Sequence, residues 1–155
     1  KSSHRIEAYG SVDEANALLG TVRPTGHDDV DGLLETIQNH LHIVQADLAN
    51  PDPDPDDPQV KNDHAAELED RIDAFDEELE PLTSFILPGG SEPGAALHHA
   101  RAVVRRAERR VVDLARSEPI NEAVVTYLNR LSDLLFTLGR VANARDGEPE
   151  ESPTY

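Results

Sequence analysis

The chain has 155 residues, with 31 Asp and Glu against 14 Lys and Arg, for a formal net charge of −17. That charge repels phosphate backbones and anionic lipid, which argues against nucleic acid and membrane as partners. The absence of Cys excludes a disulfide framework, a thiol nucleophile and a thiolate metal site. No apolar run approaches a membrane span and no secretory signal is visible, so one cytoplasmic domain is expected. Acidic residues are spread along the chain and Lys occurs only at positions 1 and 61, a pattern that resembles proteins of salt-loving organisms.

Helices are expected throughout. The first is predicted to begin at Ser11, because Ser11-Val12-Asp13-Glu14 reads as a capping box, with Val12, Ala15, Leu18 and Leu19 buried. By this reading Asp13 is an acid in a first helical turn, where the macrodipole favours it. Pro24 and Gly26 end the helix. A second runs from Asp28 or Asp29 to about Asn50, with Leu33, Leu34, Ile37, Leu41, Val44 and Leu48 inward. His40 and His42 within it point to different sides and cannot share a metal. The segment from Pro51 to Pro58, PDPDPDDP, reads as a solvated loop, without the ligand spacing of a calcium site. The third helix, about Lys61 to Glu80, has Leu68, Ile72, Phe75 and Leu79 as its apolar stripe.

Phe85 to Arg110, FILPGGSEPGAALHHARAVVRRAERR, breaks at Pro88-Gly89-Gly90 and restarts with Ser91 as N-cap and Pro93 in the first turn of the fourth helix. Leu97, Ala100, Val104, Ala107, Val111 and Leu114 form its core stripe. Arg101, Arg105 and Glu108 share another stripe, with Arg109 beside it. Like charges one turn apart favour an anion between them, a carboxylate or a phosphate. Pairing with Glu108, Asp113 and other neighbouring acids is the competing explanation. The adjacent His98 and His99 fall on different faces, as a packed or solvated pair.

A fifth helix is expected from Pro119 to about Ala144, with Val124, Leu128, Leu131, Leu135 and Leu138 as core. Asn129, Asp133, Phe136 and Arg140 make a second, mixed stripe of the kind found at ligand sites or subunit interfaces. The acidic, proline-containing tail from Asp146 to Tyr155 is expected to be disordered, leaving residues 1–145 as the bundle domain. Five helices give an all-α bundle. No internal repeat, Walker-type loop, nucleophilic triad or inward Glu-x-x-His pair occurs, which disfavours a ferritin-like carboxylate-metal centre.

Three blocks carry a family resemblance: EAYGSVDEANALLG (Glu7 to Gly20), FILPGGSEPGAALHHARAVVRRAERR, and YLNRLSDLLFTLGRVAN (Tyr127 to Asn143). In order and spacing they resemble the PduO-type ATP:cob(I)alamin adenosyltransferases. The resemblance implies a five-helix, ferritin-like left-handed up-down bundle that assembles as a homotrimer with sites between subunits. The implied reaction moves the 5′-deoxyadenosyl group of ATP to the cobalt of cob(I)alamin and releases triphosphate. By the same resemblance, Arg101 pairs across the interface with Asp13. Lys1, Arg105, Arg106, Glu108, Arg109 and Asn129 bind ATP, and Glu108 helps to hold Mg2+ or the ribose. Phe85 displaces the lower axial ligand of cobalamin, and Phe136 is an apolar wall of the corrin site. A corrinoid reductase and a downstream mutase are the implied partners. The family's Gly/Thr-rich ATP loop would lie before Lys1, and Ala15 stands where the family has Leu. The competing function is a non-catalytic trimeric carrier of ATP or cobalamin on the same bundle.

Overall fold

The computed structural model describes residues 3–155. Among them it has five helices and no strand: α1 Ser3–Val22, α2 Asp28–Ala49, α3 Asn62–Asp76, α4 Glu92–Ala115 and α5 Glu122–Arg145. The expected all-α five-helix bundle is what forms. In space α5 packs against α4 and α3, while α1 packs against α4 and α2. The apolar stripes explain this arrangement. Each of α1, α2 and α4 buries one face, and the predicted core positions on α2 and α4 are all buried. The C-terminal half of α5 is buried nearly all round, from Leu134 to Asn143 with Phe136 as a partly exposed exception. Helices α3 and α4 cover part of that half, and the loop before α4 and the tail cover the rest, through contacts at Arg140 and Asn143. Full burial of each Leu there contributes roughly 1.5–3 kcal/mol.

Several boundaries differ from the sequence reading. Helix α1 begins at Ser3, so Ser11 is inside it and caps nothing. The Ser11 hydroxyl instead bonds back to the Glu7 carbonyl at 2.7 Å, the usual recourse of a mid-helix serine. Ala8 and Val12, one turn apart and fully buried, carry the helix back past Ser11. Helix α3 stops at Asp76, and the next residues form a turn closed by Glu78 N–H to Phe75 and Leu79 N–H to Asp76. Helix α5 starts after Asn121, whose Oδ1 accepts from Ala123 N–H at 3.1 Å. The Asn121 amide also donates to buried Asp47 and to Val60 O, each at 2.8 Å, which ties α2, α5 and the segment before α3 together.

The tail, residues 146–155, runs along non-helical backbone and makes contacts with the loop before α4 and with α5. Leu87 N–H donates to Glu151 O at 2.7 Å, the Ser84 and Ser152 hydroxyls are 2.8 Å apart, and Arg140 grips Glu150. Of the tail's acids, Asp146 meets His27 and Glu150 meets Arg140, while Glu151 accepts through its backbone carbonyl. No described helix is long and apolar enough to cross a membrane.

Candidate functional site

The arginines of α4 divide by helical face. Arg106 and Arg110 turn to α1, where Arg106 pairs with Glu14 and Arg110 Nη1 with Glu7 Oε2 at 2.6 Å. Arg116 reaches Asp113 on its own helix at 3.4 Å. Arg101, Arg105 and Arg109 stand at i, i+4 and i+8 on another face, and none of the three has an ion-pair partner among the described residues. Neighbouring acids therefore answer only part of the cluster. In a chain of net charge −17, three aligned and unanswered cations are a site for an anion.

Glu108, which sequence spacing placed among the arginines, is held by α5 instead. Asn129 Nδ2 donates to Glu108 Oε1 at 3.0 Å, and Asn129 Oδ1 accepts from Arg130 Nη1 at 2.8 Å. Arg130 is fixed in turn by Glu69 of α3 at 2.8 Å. Around this network runs a groove of about 610 Å³ lined by Arg105, Arg106, Glu108, Arg109 and Asn129, together with Arg110, Val112, Asp113 and Arg116. A second cavity of about 300 Å³ is lined by Arg101, Arg105, Asp133, Phe136 and Arg140, among others. Arg105 belongs to both, so the polar groove and the more apolar cavity adjoin at this residue.

In the second cavity the Arg101 guanidinium carbon sits 6.0 Å from the Phe136 ring centroid, within cation–π reach. The other contact of that ring is buried His98, edge-on at 5.8 Å. His98 fits there because Gly139 has no side chain: a Cβ at that position would come within 2.9 Å of the imidazole. Burial, and then the nearby Arg101, hold the His98 pKa below the ordinary histidine value, so the neutral ring is favoured.

The segment entering α4 is shaped by Asn143 of α5. Its Oδ1 accepts from Ser91 N–H at 2.9 Å and from the Ser91 hydroxyl at 3.1 Å, while its Nδ2 donates to Gly89 O at 2.8 Å. Ser91 can then cap α4 by accepting from Gly94 N–H at 3.2 Å. Side chains at Gly90 or Gly94 would overlap the Asn143 carboxamide, and Gly90 also has a positive φ of 112°. On the loop that leads into this turn, Phe85 is 82% exposed, with Leu82 and Leu87 about half exposed beside it. Three bare apolar side chains in so acidic a protein mark a surface kept for contact.

The structure thus brings Arg105, Arg106, Glu108, Arg109 and Asn129 to one groove and Arg101 and Phe136 to the adjoining cavity. Phe85 stands apart on its loop. Asp13 is exposed on α1, and no ion pair joins it to Arg101 within the chain. Lys1 lies outside the described residues. Sequence reasoning put Arg140 in a ligand-site or interface stripe, but gave no role to Asn143 or His98 in organising the site. The glycines at 90, 94 and 139 were the available signal, since each leaves room for one of these side chains or its contacts. No group of three or more His, Asp or Glu suited to a metal occurs among the described residues.

Comparison with known proteins bears on the family and the fold. The model of the cobalamin adenosyltransferase family matches residues 1–142. The corrinoid adenosyltransferase of Bacillus subtilis is 45% identical over 152 residues, covering 95% of this chain and 78% of that protein. The corrinoid adenosyltransferase of Mycobacterium tuberculosis is 44% identical over 156 residues, covering 96% and 80%. Among solved structures, a phenylalanine-to-alanine variant of the PduO-type ATP:corrinoid adenosyltransferase from Lactobacillus reuteri, complexed with cobalamin and ATP, superposes with a TM-score of 0.92 at 35% identity. That match covers 100% of this chain and 88% of the other. The chain belongs to the cobalamin adenosyltransferase family.

Proposed function

We propose that this protein transfers the 5′-deoxyadenosyl group of ATP to the cobalt of cob(I)alamin, giving adenosylcobalamin and triphosphate. The observation that carries the reading is the unpaired stripe Arg101, Arg105 and Arg109 at the junction of a polar groove and a cavity walled by Phe136. Cobalt(I) is itself the nucleophile. Its electron pair attacks C5′ of ATP, the C5′–O bond breaks, and triphosphate departs with that bond's electrons. The protein therefore needs no nucleophilic side chain; it has to align the reactants and stabilise a polyanionic leaving group. Arg105 and Arg109 face the phosphates, with Arg106 beside them and Lys1 a further ligand. Asn129 and Glu108 orient the nucleoside end.

Mg2+ travels with the phosphates and asks few oxygens of a protein. Glu108 suits it, because Asn129 engages only one of its carboxylate oxygens. Phe85 takes the lower face of the corrin, displacing the axial ligand so that cobalt(II) accepts an electron more readily, and Phe136 walls the ring.

The sites lie between the subunits of a homotrimer, where Asp13 of one copy meets Arg101 of the next. A corrinoid reductase supplies cob(I)alamin and a mutase consumes the product. The acidic surface supports a cytoplasmic protein working in concentrated salt.

The test is an anaerobic assay of the protein with Mg-ATP and chemically reduced cob(I)alamin, at low and at molar salt. Formation of adenosylcobalamin with equimolar triphosphate is the expected result. Binding of both substrates without product at any salt would overturn the reading.

A further inference from the structure

We infer that Arg140 and the tail residues Glu150, Glu151 and Ser152 form a tether that positions Phe85. The inference rests on the functional reading above, and deepens it, only in taking Phe85 to act on the corrin.

The loop from Pro81 to Pro88 is poorly provided with bonds of its own. Among the described residues, its hydrogen bonds to the rest of the chain are two, and both go to the tail: Leu87 N–H to Glu151 O at 2.7 Å, and Ser84 Oγ with Ser152 Oγ at 2.8 Å. Phe85 sits between those two anchor points. Packing supplements them only in part: Phe85 is bare and Leu87 about half exposed, while Ile86 is partly buried and Leu82 edges the Phe136 cavity. Where loop and tail adjoin, they leave a space of about 90 Å³ between them.

The ends of the loop are fixed from α5. Asn143 binds Gly89 O, as described above. At the other end Arg140 Nη2 donates to Glu80 O at 2.9 Å, and its Nε donates to Glu150 Oε1 at 3.0 Å. Arg140 is only 6% exposed, so the guanidinium itself is largely withdrawn from water, while its partner Glu150 stays partly exposed. One guanidinium thereby sets the start of the loop and the start of the tethering run together. Pro149 and Pro153 bracket the three tail residues that make the contacts. Their fixed φ angles narrow the conformations open to the tail, which lowers the entropy lost on docking. The composition that suggests disorder is thus what keeps this short strap stiff.

Positioning should show in the corrin half of the reaction and not in the nucleotide half, because Arg105, Arg109 and Asn129 make no contact with the tail. The test compares the wild-type chain with Glu150→Ala and with a chain ended after Gly147. Arg140→Lys serves as the conservative variant, since it keeps the charge and loses the fork. Hydrogen exchange at the Leu87 amide, the loop amide held by the tail, should rise about two- to tenfold, the effect of losing one net hydrogen bond. The KM for cob(I)alamin should rise, and the four-coordinate cob(II)alamin spectrum should weaken. Affinity for Mg-ATP should stay within about twofold, as for a remote surface change.

Unchanged exchange at the Leu87 amide after truncation would overturn the tether. So would a parallel loss of ATP affinity and melting temperature, which would mark a merely structural tail. If the wild-type chain leaves corrinoid untouched while truncation still frees the loop, the functional reading falls and the tether stands.

Discussion

Arg101 lies over the face of Phe136 with its guanidinium carbon 6.0 Å from the ring centroid, and its Nε is buried without a hydrogen-bond partner. A ring face satisfies part of a cation's demand, but it accepts no directed hydrogen bond. Asp13, exposed on α1, is one of several acids with no ion-pair partner among the described residues.

If these two groups meet across copies, Arg101→Ala and Asp13→Ala should each weaken assembly of the trimer. A charge-assisted hydrogen bond contributes about 1.5–3 kcal/mol, so each interface should lose roughly ten- to a hundredfold in association constant. Sedimentation should find the wild-type protein at three times the chain mass of 17.0 kDa. The variants should dissociate on dilution at concentrations where the wild type does not.

Arg105 and Arg106 are neighbours in sequence with different occupations. Arg106 is engaged by Glu14, while Arg105 is unpaired at the meeting point of the two cavities. Calorimetry should show Arg105→Ala losing about ten- to a hundredfold in affinity for Mg-ATP, the scale of one or two charge-assisted bonds, with the melting temperature nearly unchanged. Arg106→Ala should lose less affinity. Equal losses would mean that the Glu14 pair gives way to the phosphates.

Asn143 and the glycines around it make one fitted unit. Gly94→Ala drives a methyl group into the Asn143 carboxamide and should cost about 1–3 kcal/mol, as overpacking does. Asn143→Ala should cost a similar amount by leaving Ser91 N–H and Gly89 O without partners. Urea unfolding should give a lower midpoint for both at an unchanged slope.

His98 makes a prediction with a definite sign. Its folded pKa is depressed, chiefly by burial and next by Arg101, with Arg140 acting the same way and Glu150 opposing. A depressed value means that the neutral ring stabilises the fold. That contribution is complete above about 6.5, the unfolded value, and is lost as pH falls below it toward the folded pKa. His40 behaves alike, through burial and His64. Falling pH also relieves the repulsion among the acids, so the difference between two proteins is the readout. Between pH 7 and pH 5 the wild type should lose melting temperature relative to His98→Gln.

The helical fold was legible because apolar spacing on α2, α4 and α5 is regular enough to name the buried faces. The unpaired arginine stripe was legible too, since α4 places Arg101, Arg105 and Arg109 at fixed intervals. What the spacing does not contain is the answer each arginine receives. Arg106 and Arg110 find acids on α1, a helix nearly a hundred residues away in sequence, and only packing decides that. The start of α1 was misread because Ser11 fits a capping pattern, yet Ala8 and Val12 continue the buried face through it. The contacts of the tail were not legible because composition reports solvation, whereas Arg140 and the backbone of Leu87 supply partners that no local window contains.

The sharing of one site between two copies is the centre of this account, and mixing two inactive variants tests it most directly. Asp13→Ala and Arg105→Ala would be purified separately, dissociated, combined in equal amounts and assayed anaerobically for adenosylcobalamin. Each alone should be nearly inactive. In mixed trimers, random assembly joins an intact Asp13 to an intact Arg105 at roughly one interface in four, so the mixture should recover about a quarter of wild-type turnover. A mixture no more active than its two components would place Asp13 and Arg105 in the same chain's site, or outside the site altogether, and would contradict the account.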